Sequence, residues 1–339
     1  LVKNCYDANA ENVKVSFFNI ASNPKDGQII ISDDGTGMSF KDIKDKWMVV
    51  GTNSKRVELY SEAPYNRKFV GEKGVGRFAV DKLGERVEIK TKKRGEENWL
   101  HVKINWDEYE SLSKKSTQSQ LSLFTEVKNK YSYEKGLIDE HGTEIIISNI
   151  YDVWTTNDIE RLYKELSKLV SPFYPVTPPF EISIDSNEFL EYTNKVVKPD
   201  PVKYYSHYAE VKYDTIKEVQ ESLYFNSKTG ELDKKHIPKQ IFGPIRLRIY
   251  YFDEAAKRRY RAAYKNDDTR IDGIKIYRDG IIATPFAEYE QQLDKKRDIL
   301  GLDKRRYSFA FDTVGTREVI GVLDITKNDN PLIIDATNR

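Results

Sequence analysis

The chain has 339 residues, 32% of them charged and 39% hydrophobic, with 22 tyrosines, one cysteine and a formal net charge of +1. That length is more than one compact core usually holds, so two domains are expected. The near-zero charge gives no whole-molecule pull toward nucleic acid or a membrane surface, and the lone Cys5 excludes an internal disulfide framework, which favours a reducing, cytoplasmic compartment.

In chain order, Leu1 to Ala10 has helical spacing. Val13 to Ile20 and Gln28 to Ser32 alternate as strands on either side of a turn with Asn23, Pro24 and Gly27. Phe40 to Val50 returns to helical spacing, and the polar stretch Gly51 to Phe69 reads as a long loop of the kind that serves as a lid. Arg77 to Leu83 reads as a short helix closed by Gly84. Arg86 to Lys92 and Trp99 to Asn105 form a hairpin about Arg94, Gly95 and Glu96. Thr143 to Ile150 is a strand, and Thr155 or Thr156 caps a helix running to Leu169. Pro172, Pro175, Pro178 and Pro179 mark a boundary, with a strand over Phe180 to Ile184 at its edge. A second β-rich region follows Lys198, with strands over Ile245 to Tyr251, Gly273 to Arg278, Gly280 to Thr284 and Val319 to Ile325. The pattern predicts an α+β chain: a helix-and-sheet sandwich, then a smaller α/β domain. The basic runs at Lys257 to Arg261 and Lys304 to Arg306 read as solvated faces. No apolar run reaches the ~20 residues that cross a bilayer, so no membrane role is evident.

Four stretches carry chemistry. In "ISDDGTGM", Ile31 to Met38, a strand delivers Asp33 into a glycine turn. A carboxylate there can accept the exocyclic amine of adenine and would oppose the carbonyl of guanine. Gly35, lacking Cβ, lets backbone approach a planar ring. An Asp-Gly hairpin turn accounts for the same residues without any ligand. In "GEKGVGRFAV", Gly71 to Val80, three glycines precede a helix, and their amides suit phosphate. The glycine order is not that of a dinucleotide fingerprint, and Arg77 and Phe78 replace the Lys-Ser/Thr of a Walker loop. In "LVKNCYDANA", Asn4 and Ala8 share a helix face, and Asn4 offers a neutral oxygen to Mg²⁺. In "HGTEIIIS", Thr143 opens a strand and can donate to a base or to its water, although threonine is common in strands for ordinary reasons.

This ordered set resembles the GHKL ATPase superfamily, which includes the gyrase B subunit, the ninety-kilodalton heat-shock chaperone, histidine kinases and MutL. "LVKNCYDANA" looks like its N-box, "DDGTGM" its D-x-G-x-G box, "GEKGVG" its G-x-x-G-x-G box, and "VGTNSK", Val50 to Lys55, the lid of chaperone-like and MutL-like members. The resemblance implies a Bergerat-type sandwich over residues 1–180 with a lid near 51–70, a connector over 181–205 and a transducer-type domain over 206–339. It also implies ATP and Mg²⁺ as ligands. The nucleotide-contacting set would be Asn4, Asp7, Ala8, Asp33, Gly35, Gly37, Met38, Lys55, Gly71, Gly74, Val75, Gly76 and Thr143, with Asn4 on the metal. Gly273 to Phe286 resembles the strand pair of the transducer domain shared by MutL, MORC proteins and the chaperone. Gly321 to Arg339 resembles the end of the chaperone's middle domain, which makes Arg339 the γ-phosphate sensor; Asn338 departs from that family's Ser, and Lys304, Arg305 and Arg306 are rival cations. The implied activity is slow ATP hydrolysis driving a clamp in a homodimer, with a catalytic Glu expected immediately before Leu1. A nucleotide-gated scaffold without hydrolysis is the alternative. A histidine kinase fits less well, because His101, His141, His207 and His236 sit in no recognisable acceptor helix. Whether the client is protein or DNA is not legible.

Overall fold

The computed structural model describes residues 1–48, 60–67, 69, 80–106, 108, 129–172, 176, 178–199, 201–215, 217–226, 230–264, 271, 273–287, 298, 300–303 and 314–331. The chain forms two compact units, one of residues Leu1–Tyr163 with Pro178–Val197, the other of Lys164–Thr177 with Lys198–Arg339. Each has its own mixed sheet, as the α+β pattern predicts.

The first unit is built on eight strands: β1 (Asn12–Phe18), β2 (Gln28–Asp33), β3 (Gly84–Lys92), β4 (Asn98–Asn105), β5 (Lys130–Lys135), β6 (Gly142–Ile150), β7 (Glu181–Ser186) and β8 (Lys195–Val196), in the order β5-β4-β3-β6-β2-β1-β7-β8. Among the described strands of this sheet, only β1 and β7 run parallel. Alternation puts one face of every central strand into the core. The cross-strand row Phe17, Ile29, Ile147, Val87 and Ile104 is followed by Val15, Ile31, Ile145, Ile89 and Val102. All of these are buried.

Helix α1 (Val2–Asp7) buries Val2, Cys5, Tyr6 and Asp7. Helix α2 (Phe40–Asp42) continues as a π-helical turn over Ile43–Trp47 and starts in a capping box, with the Ser39 hydroxyl and the Asp42 carboxylate each satisfying the other's backbone amide. Helix α3 (Thr156–Ser167) follows Thr155, whose hydroxyl oxygen accepts the Asp158 amide. The stretch 181–205, read as a connector, supplies β7 and β8 to this sheet: Ile182 and Ile184 are buried and pair with Val13 and Val15.

The second unit has seven strands: β9 (His207–Asp214), β10 (Val219–Asn226), β11 (Gly230–His236), β12 (Ile245–Tyr251), β13 (Gly273–Arg278), β14 (Ile281–Ala287) and β15 (Val319–Ile325), ordered β11-β10-β9-β12-β15-β13-β14 with β13 and β15 parallel. Helix α4 (Glu254–Ala263) is capped by Asp253 and packs Ala256 and Tyr260 with Tyr250 and Phe252. Asp279 and Gly280 both have positive φ and form the two-residue turn of the β13–β14 hairpin. Among the described residues no helix is long and apolar enough to cross a membrane.

Candidate functional site

The apolar rows of the first sheet end in a polar one. The next row in register reads Val13, Asp33, Thr143, Thr91 and Leu100, on the same face as the core. Three neighbouring strands thus replace an aliphatic side chain with a hydrogen-bonding one at the same level. Thr91 was not singled out by any motif; the signal was the alternation Val87, Ile89, Thr91, which ends polar just as Ile29, Ile31, Asp33 does.

Asp33 is the charged member. Burial pushes its carboxyl up to about 6, against hydrogen bonds from the Gly35 amide, the Cys5 thiol and the Thr143 amide that favour the charged form. The Gly35 amide lies 2.9 Å from Asp33 Oδ1. An ionised carboxylate has about four acceptor positions, so these donors leave capacity for a ligand amine. Burial also raises the Cys5 thiol well above its usual range, with the neighbouring Asp33 charge adding to it.

The adjacent Asp34 is occupied otherwise. Its Oδ1 accepts the Glu11 and Asn12 amides at 2.7 and 2.9 Å, and its Oδ2 accepts Asn12 Nδ2 at 2.7 Å, so it fixes the entry to β1. The Asp-Gly pair here is not a hairpin, since β2 lies between β1 and β6 and the chain runs on into α2.

The glycine turn is pinned on three sides. Thr36 donates its amide to the Ala8 carbonyl at 2.7 Å and accepts the Arg94 amide at 2.9 Å. His141 Nδ1 lies 2.7 Å from the Gly35 carbonyl, and its Nε2 accepts from Arg94 Nε at 3.2 Å, which together select the Nδ1–H tautomer. A Cβ on Gly35 would stand 2.6 Å from the Ala8 carbonyl oxygen and 2.8 Å from Asp33 Oδ1. At Gly37, φ is +67° and a Cβ would meet the Lys92 carbonyl oxygen at 1.9 Å, so no other residue fits. Met38 donates its amide to Thr91 Oγ1 at 2.9 Å.

Asn4 and Ala8 lie one turn apart on the helix side of this turn, the Ala8 amide donating to the Asn4 carbonyl at 2.9 Å; Asp7 is buried. The end of α1 is held by Arg67, which is 2% exposed and absent from the motif reading. Its guanidinium donates to the carbonyls of Tyr6 at 3.2 Å, Ala10 at 2.6 Å and Pro179 at 2.7 Å, and sits 4.5 Å from the Tyr6 ring centroid. Sequence reasoning had no means of finding it, because its partners are 57 to 112 residues away.

The described residues hold no cluster of three or more metal-ligating side chains. Asn4 as a single neutral oxygen still fits Mg²⁺, which keeps several waters and leans on substrate phosphates. Lys55, Gly71, Gly74, Val75, Gly76 and Arg339 lie outside the described residues, as do Lys304, Arg305 and Arg306.

Residues 1–133 match the family model for "Histidine kinase-, DNA gyrase B-, and HSP90-like ATPase". The match spans α1, the Asp33 turn and Thr91. Over these residues the chain is similar to the GHKL ATPase superfamily. The chain is 26% identical over 148 residues to the chaperone protein HtpG of Sulfurovum sp. (strain NBC37-1), a match covering 41% of this chain and 20% of that protein. The chain therefore spans about a fifth of the length of that curated relative. The structure is also similar to the Aquifex aeolicus MutL ATPase domain complexed with ADP, at a TM-score of 0.37 and 11% identity, over 96% of this chain and 89% of that one.

Proposed function

We propose that the GHKL module binds ATP with Mg²⁺ and hydrolyses it slowly, and that nucleotide state drives a conformational switch in a homodimer. The observation that carries this reading is the half-buried Asp33 carboxylate at the end of β2, flanked by Thr143 and by a Gly35 turn with no space for a side chain. A carboxylate in that setting accepts the adenine amine and disfavours guanine. The Gly71, Gly74 and Gly76 loop with Val75 would carry the phosphates, Lys55 would approach them from the lid, and Asn4 would hold Mg²⁺ beside Asp7 and Ala8. The metal would supply charge neutralisation at the phosphates. Arg339, from the transducer-type region 206–339 of a chaperone-, MutL- or MORC-like branch, would sense the γ-phosphate and stabilise charge in transfer. A transducer-type region over 206–339, preceded by a first unit that takes in 181–197, and a cytoplasmic setting belong to the same reading.

The test is calorimetric titration of the chain with ATP. Wild type should bind, and Asp33→Asn should abolish binding while leaving the circular dichroism spectrum unchanged; equal affinity of the two removes the assignment of the adenine site. A phosphate-release assay separates hydrolysis from the scaffold alternative. No release above that of Arg339→Ala would favour the scaffold.

A further inference from the structure

Thr91 is the centre of the polar row. Its side chain is fully buried, and Thr143 beside it is 8% exposed. Thr91 Oγ1 accepts the Met38 amide at 2.9 Å, lies 2.9 Å from Thr143 Oγ1, and lies 3.0 Å from the Gly142 carbonyl oxygen. A hydroxyl has one proton to donate. When Thr91 gives it to Gly142, Thr143 must donate to Thr91 and can face a ligand only as an acceptor. When Thr91 gives it to Thr143, the proton of Thr143 is free. The two arrangements differ by the rotation of two hydroxyls, with no heavy atom moved.

Adenine tells the two apart. Next to its exocyclic amine the ring carries N1, an acceptor without a proton. A base whose amine rests on Asp33 therefore meets a neighbouring side chain through N1, and that side chain must donate. We propose that Thr91 is a positioning residue of the adenine site: it relays the Met38 amide's hydrogen bond through its own hydroxyl to Thr143, so that Thr143 presents a proton to N1, directly or through one water. This rests on the reading of Asp33 as the adenine carboxylate. A relay running one way strengthens each bond in it. It also ties base recognition to the glycine turn, because the first donor, Met38, closes that turn.

Calorimetry of the full chain with three triphosphates tests this: ATP, 1-deaza-ATP, which lacks N1, and purine riboside triphosphate, which lacks the amine. Wild type should prefer ATP to 1-deaza-ATP about five- to tenfold, the size of one net hydrogen bond. Thr91→Val removes the bond that orients the Thr143 hydroxyl but leaves Thr143 its own proton, so ATP should weaken about two- to threefold with 1-deaza-ATP nearly unchanged, and the ratio should fall part of the way toward one. Thr91→Ser should restore the ratio, and Thr91→Cys, with a weaker donor, should fall between and serves if the valine variant does not fold. A wild-type ratio in the valine or cysteine variant overturns the relay, since a purely structural role would weaken both ligands alike. Discrimination against purine riboside triphosphate reports Asp33 separately. Its loss in wild type would remove the adenine reading itself, whereas its presence with an unmoved 1-deaza ratio removes only the relay.

Discussion

Asp33 and Asp34 have the same side chain and separate work, divided by where backbone donors point. Asp34 takes three donors from Glu11 and Asn12 and is spent on structure. Asp33 lies in the polar row, and burial raises its carboxyl to about 6. The folded form then binds its proton more tightly than the unfolded form, which titrates near 3.8. Its contribution to stability is therefore most favourable below that value and declines as pH rises to about 6. An adenine amine needs the ionised acceptor, so ligand should oppose the shift. In a carboxyl ¹³C titration the Asp33 resonance is expected to move with a midpoint near 6 in the free protein and lower with saturating ATP. A free-protein midpoint near 4 would contradict the burial argument.

At the scale of elements, the site is made by three strands and the end of one helix. The apolar alternation of β2 and β3 gives way to Asp33 and Thr91 at their ends, that of β6 begins only after Thr143, and register alone aligns those three exceptions. The dipeptide Asp-Gly behaves in two ways in this chain. At Asp279–Gly280 it joins paired strands and both residues take positive φ, whereas at Asp34–Gly35 it leads out of the sheet against α1. Arg67 holds α1 in position, because its guanidinium adds a second donor to the Tyr6 carbonyl in the last turn and donates to the Ala10 carbonyl just beyond the helix. Burial lowers its pKa, yet the carbonyls and aromatic rings keep the cation accommodated. Arg67→Met keeps the length and removes the donors. It should lower the unfolding free energy by roughly 3 kcal/mol, as expected for buried hydrogen bonds to a charged group. Urea titration would measure it, and a loss below about 1 kcal/mol would show that those carbonyls find other donors.

At the scale of the molecule, each unit has its own sheet, and the first is discontinuous in sequence. A chain ending at residue 180 keeps Asn4, Asp33, Thr91 and Thr143 but lacks β7 and β8. It would lose the buried Ile182 and Ile184 that lie beside Val13 and Val15. Such a chain should unfold without a cooperative transition, whereas one ending at residue 199 should melt as a single transition by circular dichroism. Equal cooperativity in the two would show that β7 is dispensable.

The strands and helices of the first unit were legible because amphipathic alternation and capping residues are local signals: β1, β2, the β3–β4 hairpin, β6 and the Thr155-capped α3 are all visible that way. The polar ends of the apolar alternation at Asp33 and Thr143 were visible in the sequence too, because the change of residue type falls within a few positions. The strands β9 to β11 were not, since β11 is exposed along its whole length and β9 and β10 are only partly buried, so that little apolar pattern marks them. Tertiary structure alone decided that Asp34 is spent on the entry to β1, that Thr91 joins Thr143, that Arg67 holds α1, and that β7 completes the first sheet. Each of those depends on pairing between residues tens to more than a hundred positions apart, and strand register and buried hydrogen-bond partners over such distances leave no local trace in a sequence.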